Sequence, residues 1–145
     1  MKSNKNIVLI GMMGSGKTSI GKILSKKLNL TFIDIDQKIE ESEDSKISEI
    51  FTKYGEDYFR KIEEKVSLKY LKLENSIVSL GGGGFTNLSI RKVCEKTSLS
   101  FWLNWKNETI ITRIFKSKKR PLVMKLKKEE INDLIKERFK FYELS

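Results

Sequence analysis

Histidine is absent from this 145-residue chain, and cysteine and proline occur once each. Without histidine there is no Ser-His-Asp triad and no His-containing zinc site, so a general base must be a carboxylate, a lysine or a tyrosine. Cys94 cannot form an internal disulfide, which favours a reducing cytoplasm. No apolar run approaches the roughly 20 residues that span a bilayer, and no signal peptide is evident. We therefore predict one cytoplasmic domain without a membrane segment.

Positive charge is in excess but is dispersed. The chain has 29 basic and 19 acidic residues, a formal net charge of +10. Nucleic-acid binding usually requires a basic face or stripe, whereas these lysines lie along almost every segment. Dispersed charge of this kind is typical of a solvated surface. We expect no nucleic-acid partner.

Short apolar runs alternate with helical patterns along the chain. This order predicts an α/β fold with right-handed crossovers and a central parallel sheet of four strands, helices covering both faces. Ligands in such sheets bind outside the carboxyl ends of the strands. The predicted strands are Asn6–Ile10, Thr31–Ile35, Ser76–Leu80 and Leu99–Leu103. The predicted helices are Gly16–Leu28, Asp36–Glu41, Ile47–Lys53, Glu56–Leu73, Leu88–Glu95, Glu108–Phe115 and Glu129–Tyr142.

The segment Gly11–Thr18 has the pattern G-x-x-x-x-G-K-T between the first strand and the first helix. In that context the pattern predicts a phosphate-binding loop, because glycines let several backbone N–H groups point at one anion. Lys17 would add a positive charge at the β- and γ-phosphates, and Thr18 would offer a hydroxyl to Mg²⁺. An ordinary glycine turn is the alternative. The residues predicted to bind nucleotide are Gly14, Ser15, Gly16, Lys17 and Thr18.

Two carboxylates, Asp34 and Asp36, end the second predicted strand. Alternation along a strand would put both on one side. One could then lie near Mg²⁺ while the other accepts a proton from a substrate hydroxyl. The alternative is an exposed strand end with Asp36 capping the next helix.

Four glycines, Gly81–Gly84, directly follow the third strand. Such a run is costly in backbone entropy but allows a ligand to approach the backbone closely. A flexible turn is the alternative.

Three arginines complete the set of candidate site residues. Arg138 falls on the apolar face of the last helix, where its charge needs an anionic partner. That partner would be a ligand; the alternatives are a core carboxylate or a side chain that snorkels outward to solvent. Arg60 could bind a ligand or pair with Glu63 three residues later. Arg120 lies in a basic loop beside Pro121, which we predict to be a mobile element that closes over phosphates.

These pieces together resemble the shikimate kinase family, within the nucleoside-monophosphate-kinase-like branch of P-loop proteins. The matching segments cover nearly the whole chain: Gly11–Thr18, Asp34–Asp36, Gly55-Glu56 with Phe59–Glu63, Gly81–Gly83, Arg120–Leu122, and Arg138 with Tyr142. The resemblance implies a three-layer α/β/α domain over residues 1–145, with a substrate-binding helical region at about 36–63 and a lid at about 113–127.

The resemblance also implies roles. The reaction would transfer the γ-phosphoryl group of ATP to the 3-hydroxyl of shikimate, in the chorismate pathway of aromatic amino-acid biosynthesis. Lys17 and the loop amides would hold phosphates, Thr18 and Asp34 would serve Mg²⁺, and Asp36 would bind and deprotonate the hydroxyl. Residues implied to hold shikimate are Asp36, Arg60, Gly81, Gly82, Gly83 and Arg138, with Arg120 over the transferring phosphate.

The chain departs from the family pattern at Gly84, where another small residue is usual, and at Ser145, where the sequence ends before a fifth strand. We therefore expect a sheet edge beside Leu99–Leu103 that is exposed or covered by a partner chain, although we favour a monomer. A gluconate-kinase-like enzyme and an inactive nucleotide-binding relic are the alternatives.

Overall fold

A parallel four-stranded sheet forms the centre of the protein in the computed structural model, which describes residues 5–117, 123 and 125–145. The strand order is β2-β3-β1-β4, and all three pairings are parallel. The strands are β1 (Asn6–Ile10), β2 (Thr31–Asp34), β3 (Ser76–Ser79) and β4 (Ser98–Trp102). This topology confirms the predicted α/β class.

Six α-helices connect and follow these strands in the described part of the chain. They are α1 (Lys17–Leu28), α2 (Ile35–Glu43), α3 (Ile47–Leu71), α4 (Leu88–Thr97), α5 (Asn107–Lys116) and α6 (Lys128–Tyr142). A short 3-10 helix, Gly84–Thr86, which the sequence did not predict, follows β3. None of the helices described is long and apolar enough to cross a membrane.

Helix α2 begins one residue earlier than predicted, so Asp34 and Asp36 do not lie on the same strand. Asp34 ends β2, and its Oδ1 accepts hydrogen bonds from the backbone N–H groups of Asp36 (3.1 Å) and Gln37 (3.4 Å). The expected strand alternation was therefore wrong, since Asp36 lies in the first turn of a helix. The alternative was also wrong in detail, because Asp34 and not Asp36 caps that helix.

Helix α3 joins the two helices predicted over Ile47–Lys53 and Glu56–Leu73. It is interrupted at Gly55, whose φ of 84° and ψ of 177° are not helical. The predicted gap thus corresponds to a kink. The half of α3 that follows Gly55 carries Arg60 and Glu63, and its buried residues include Phe59, Val66 and Leu71.

The core is built by the strands and by apolar residues of the helices facing them. Ile10, Ile33 and Val78 are all at most 3% exposed, and Cys94 is buried in α4. Helix α6 is held beside β4 by an edge-to-face contact of Trp102 with Phe139, their ring centroids 4.8 Å apart. This packing places the inner face of α6, with Arg138 and Tyr142, over the carboxyl end of the sheet.

Strand β4 lies at one edge of this sheet. Leu99 and Phe101 on it are 48% and 52% exposed. This agrees with the expectation of an apolar edge beside the fourth strand.

Candidate active site

A large cleft opens at the carboxyl ends of β1, β2 and β3, where the α/β topology predicts a ligand. Its volume is about 1280 Å³, enough for two small ligands by the usual sizes of ligand pockets. The loop after β1, the acids after β2, the glycines after β3 and the charged residues of α3 and α6 all line it. Residues as far apart in the sequence as Met13 and Arg138 therefore line the same cleft.

The loop Gly11–Gly16 turns from β1 into α1, and Lys17 is the first residue of that helix. The Lys17 ammonium is buried and donates hydrogen bonds to the carbonyl oxygens of Gly11 (2.7 Å) and Met12 (2.9 Å). Gly16 has a φ of +91°, a conformation that favours glycine. The loop thus has the conformation and the cation that an anion site at a helix N-terminus requires.

Thr18 and Asp34 form a hydroxyl–carboxylate pair at the same end of the sheet. Thr18 Oγ1 donates to Asp34 Oδ2 at 2.7 Å, while Asp34 Oδ1 caps α2. Both side chains line the cleft. Their side-chain oxygen atoms lie beside the phosphate loop. Oxygen atoms of this kind are the ligands that Mg²⁺ prefers.

Two further carboxylates approach each other across Gly81. A Cβ built on Gly81 would lie 2.6 Å from Glu63 Oε1 and 2.8 Å from Asp36 Oδ1. Only glycine leaves room for both carboxylates at this position. Burial raises the pKa of Glu63, although the positive charge of Arg60 opposes that rise and the neighbouring Asp36 adds to it.

Arg60 is oriented by two acids on its own helix. Its Nη1 donates to Glu63 Oε2 at 2.7 Å, and its Nη2 donates to Glu56 Oε1 at 3.2 Å. Burial opposes the charge of the guanidinium, but Glu63 and Glu56 outweigh burial and raise the pKa of Arg60. The sequence alternative of an Arg60–Glu63 pair is therefore present. The guanidinium also lies against Gly83 and lines the cleft, so pairing and ligand contact are compatible.

Arg138 lies against Gly82, the neighbour of the glycine that Arg60 contacts. It is 8% exposed, and a Cβ built on Gly82 would be 3.1 Å from its Nη1. Burial lowers the pKa of Arg138, and the positive charge of Arg60 acts in the same direction. The two guanidiniums thus form a concentrated positive region that an anionic ligand would stabilise.

Tyr142 anchors this side of the cleft. Its hydroxyl donates to the Gly82 carbonyl and lies 3.5 Å from Met12 Sδ. Burial raises the pKa of Tyr142 to about 12, and the Arg138 charge opposes that rise. The tyrosine is therefore neutral at physiological pH and acts as a hydrogen-bond donor to the glycine run.

All but three of the predicted site residues line this cleft. The first exception is Gly81, which lies against the lining carboxylates of Asp36 and Glu63. The second is Ser15, whose hydroxyl is buried next to Gly11, so only its backbone could serve a phosphate. The third is Arg120, which lies outside the described residues, as does much of the loop that contains it.

Sequence reasoning missed one residue that lines the cleft and two that contact the phosphate loop from outside it. Glu63 was considered only as a partner of Arg60, and the spacing that pairs them could have identified it as a positioning acid. Trp105 and Arg113, which contact the phosphate loop, were not predicted, because no local pattern links them to residues 90 or more positions away.

Comparison with known proteins agrees with this geometry. The family model "Shikimate kinase" matches residues 13–145. The shikimate kinase of Sulfurihydrogenibium sp. is 43% identical over 97% of this chain and 84% of its own. That of Persephonella marina is 42% identical over 95% of this chain and 84% of its own. The structure of the Acinetobacter baumannii shikimate kinase in complex with shikimate superposes with a TM-score of 0.92. It is 31% identical and covers 99% of this chain and 82% of that one.

Proposed function

The chain belongs to the shikimate kinase family, and we propose that it transfers the γ-phosphoryl group of ATP to the 3-hydroxyl of shikimate. Family membership makes the protein a kinase and favours shikimate over gluconate. The observation that supports the acceptor best is the placement of Arg60, Arg138 and Asp36 around one glycine run beside a phosphate loop. An anionic polyol requires cations for its carboxylate and an acceptor for its hydroxyls.

In this proposal the nucleotide phosphates lie against the loop Gly11–Gly16 and the first turn of α1. Gly14, Ser15 and Gly16 provide backbone N–H groups, and Lys17 provides the positive charge. When phosphates bind, the Lys17 ammonium exchanges its contacts with the loop carbonyls for contacts with phosphate oxygens. The ammonium is therefore held close to the position where it acts.

Thr18 and Asp34 fit a Mg²⁺ ion that accompanies the nucleotide, because a hydroxyl and a carboxylate oxygen are 2.7 Å apart beside the loop. Within the described residues no group of three or more acids, cysteines or histidines could hold a metal alone. Mg²⁺ commonly uses one or two protein ligands together with substrate phosphates. When bound, the ion neutralises charge on the phosphates.

At the acceptor end, Arg60 and Arg138 bind the substrate carboxylate, and the backbone of Gly81, Gly82 and Gly83 provides contacts without side-chain obstruction. Glu63 is a positioning residue that orients Arg60. Arg60 is half-buried and already paired with Glu63 and Glu56, whereas Arg138 is buried and its pKa is lowered by burial and by the Arg60 charge. A substrate carboxylate beside Arg138 would therefore offset the cost of burying that charge.

Asp36 accepts the proton of the attacking hydroxyl. The hydroxyl oxygen forms a bond to the γ-phosphorus, the bond from that phosphorus to the β–γ bridging oxygen breaks, and ADP leaves. Phosphoryl transfer depends mainly on positioning and on stabilising charge in the transition state. Lys17 supplies part of that stabilisation, and we assign the rest to Arg120, in the segment at about 113–127 that we propose acts as a lid.

A coupled assay of ADP formation tests this proposal directly. The chain should consume ATP with shikimate and Mg²⁺ present, and should not do so with gluconate or nucleoside monophosphates. The product should be shikimate 3-phosphate by NMR. ATP consumption that is independent of shikimate, or no turnover at all, would favour the nucleotide-binding relic.

Removing the charge of Asp34 should change the metal requirement. In Asp34→Asn the retained side-chain oxygen can still cap α2, because Asn and Asp are equally good caps. The lost negative charge should raise the Mg²⁺ concentration for half-maximal rate several-fold. A Mg²⁺ titration of initial rates measures this, and an unchanged titration curve would refute the assignment of Asp34.

Adding one methyl group at Gly81 should weaken shikimate binding. The new Cβ of Gly81→Ala would displace the Glu63 and Asp36 carboxylates, and overpacking of this size costs about 1–3 kcal/mol. We expect the KM for shikimate to rise about tenfold or more, with the KM for ATP little changed.

Gly84→Ala is the matched control, since its Cβ would lie 3.5 Å from Glu63 Oε1, an ordinary contact distance. Its kinetics should resemble those of the wild type. Equal effects of the two alanines would show that general disturbance of the loop, and not the contact at Gly81, causes the loss.

A further inference from the structure

Trp105 lies just after β4 and contacts the phosphate loop from outside the cleft. Its indole Nε1 donates a hydrogen bond to the Ser15 carbonyl at 2.9 Å. The guanidinium of Arg113, on α5, lies over the indole ring at 4.3 Å from its centre. Arg113 Nη1 in turn is 3.3 Å from the Gly14 carbonyl, to which it donates. Two consecutive loop carbonyls therefore have partners from one stacked Trp–Arg pair.

The Ser15 carbonyl and the Gly16 N–H belong to one peptide group. Because a trans peptide is planar, these two groups point in opposite directions, and fixing the carbonyl fixes the N–H. This peptide is especially free to rotate, since Gly16 has a φ of +91° and glycine tolerates either sign of φ. A rotated peptide would turn a carbonyl oxygen toward the phosphates.

We propose that Trp105 is a positioning residue for phosphate binding: it holds the Ser15–Gly16 peptide so that the Gly16 N–H faces the phosphate, and it fixes Arg113 on the neighbouring Gly14 carbonyl. The proposal rests on the proposed function and adds a residue to it. The indole is not among the residues that line the cleft, so we assign it a positioning role and not a ligand contact. Its exposed fraction, 39%, indicates that packing alone does not account for its position.

The two contacts of Trp105 can be separated by substitution. Trp105→Phe keeps a ring beneath Arg113 but removes the N–H donor, whereas Trp105→Leu removes both. Loss of one neutral hydrogen bond should raise the dissociation constant about fivefold, and further loss of a cation–π contact should raise it about 30-fold in total. Phe101→Leu is the control, an exposed aromatic on the adjacent strand.

The probe is inorganic tripolyphosphate with Mg²⁺, measured by calorimetry alongside ATP and shikimate. If Trp105 acts through the loop peptide, its substitution should weaken the binding of tripolyphosphate and of ATP by the same factor. The two ligands share the phosphates, and only ATP has a base. Shikimate affinity should stay within twofold of the wild type in both Trp105 variants. Phe101→Leu should match the wild type for all three ligands.

Several outcomes would overturn the proposal. Tripolyphosphate affinity within twofold of the wild type in Trp105→Phe, the more conservative variant, would exclude a role for the indole N–H. Weaker binding of ATP alone would assign the effect to contacts with the base. Equally weakened binding of shikimate would assign it to general instability of the protein. The proposed function fails separately, if the wild type binds tripolyphosphate but does not phosphorylate shikimate.

Discussion

Lys17→Ala is expected to abolish turnover and to raise the dissociation constant for ATP by at least about 100-fold. The ammonium is the only side-chain cation in the loop Gly11–Thr18, and it is buried, so its attraction to phosphate is weakly screened. Removing a buried charge-assisted contact to a ligand typically costs several kcal/mol. Isothermal titration of ATP and the shikimate-dependent assay measure the two effects.

The same substitution should leave the protein folded. Lys17 donates to the carbonyls of Gly11 and Met12 and is not part of the hydrophobic core cluster, so its loss should affect the loop and not the core. The melting temperature should change by only a few degrees. Lys22→Ala is the matched control, an exposed lysine on the same helix. Wild-type turnover in Lys17→Ala would refute the phosphate-site assignment.

Much of the fold could be predicted because its signals are local. The bounds of β1 were predicted correctly, and the other elements differ by one or two residues at their ends, apart from the kinked α3. The gap predicted between Lys53 and Glu56 contains Gly55, at which the structure has the kink. The start of α2 was missed because a strand pattern and a helix cap compete at Asp34, and the cap prevails once Ile35 is buried as the first helical residue.

The site was predictable only in part, because it combines local and long-range contacts. The phosphate loop and the Asp34–Asp36 pair are local patterns. The contact of Arg138 with Gly82 joins residues 56 positions apart, and the resemblance to a family, not spacing, placed both near one substrate. Trp105 and Arg113 were predicted neither by a local pattern nor by the resemblance to the family. Their role depends on how α5 packs beside the loop, which no periodicity encodes.

Gly84 differs from the other glycines of the run Gly81–Gly84, although the sequence gives no sign of the difference. The run of four glycines predicted close backbone approach throughout. The structure shows close approach at Gly81 and Gly83, whereas Gly84 begins a 3-10 helix and has ordinary space for a side chain. The departure from the family pattern at this position is therefore compatible with an intact cleft.

Asp36→Asn is expected to reduce kcat by about 100-fold or more, the usual scale of general acid–base contributions. The amide cannot accept the hydroxyl proton, and no histidine in the chain could replace the carboxylate. Glu63 also lies beside Gly81, but its Oε2 accepts a hydrogen bond from Arg60, which holds the carboxylate in its positioning role. Steady-state kinetics with saturating ATP and Mg²⁺ measure the loss.

The pattern of effects distinguishes a base from a metal ligand. Asp36→Asn should leave the Mg²⁺ titration and ATP affinity close to those of the wild type, whereas Asp34→Asn should shift the Mg²⁺ titration and change kcat less. Asp44→Asn, an exposed acid at the end of the same helix, controls for loss of charge alone, and Asn tolerates its positive φ of 46°. Identical Mg²⁺ dependence in the Asp34 and Asp36 variants would contradict this division of roles. Asp34, which caps α2 and contacts Thr18, would then be no closer to the Mg²⁺ ion than Asp36 is.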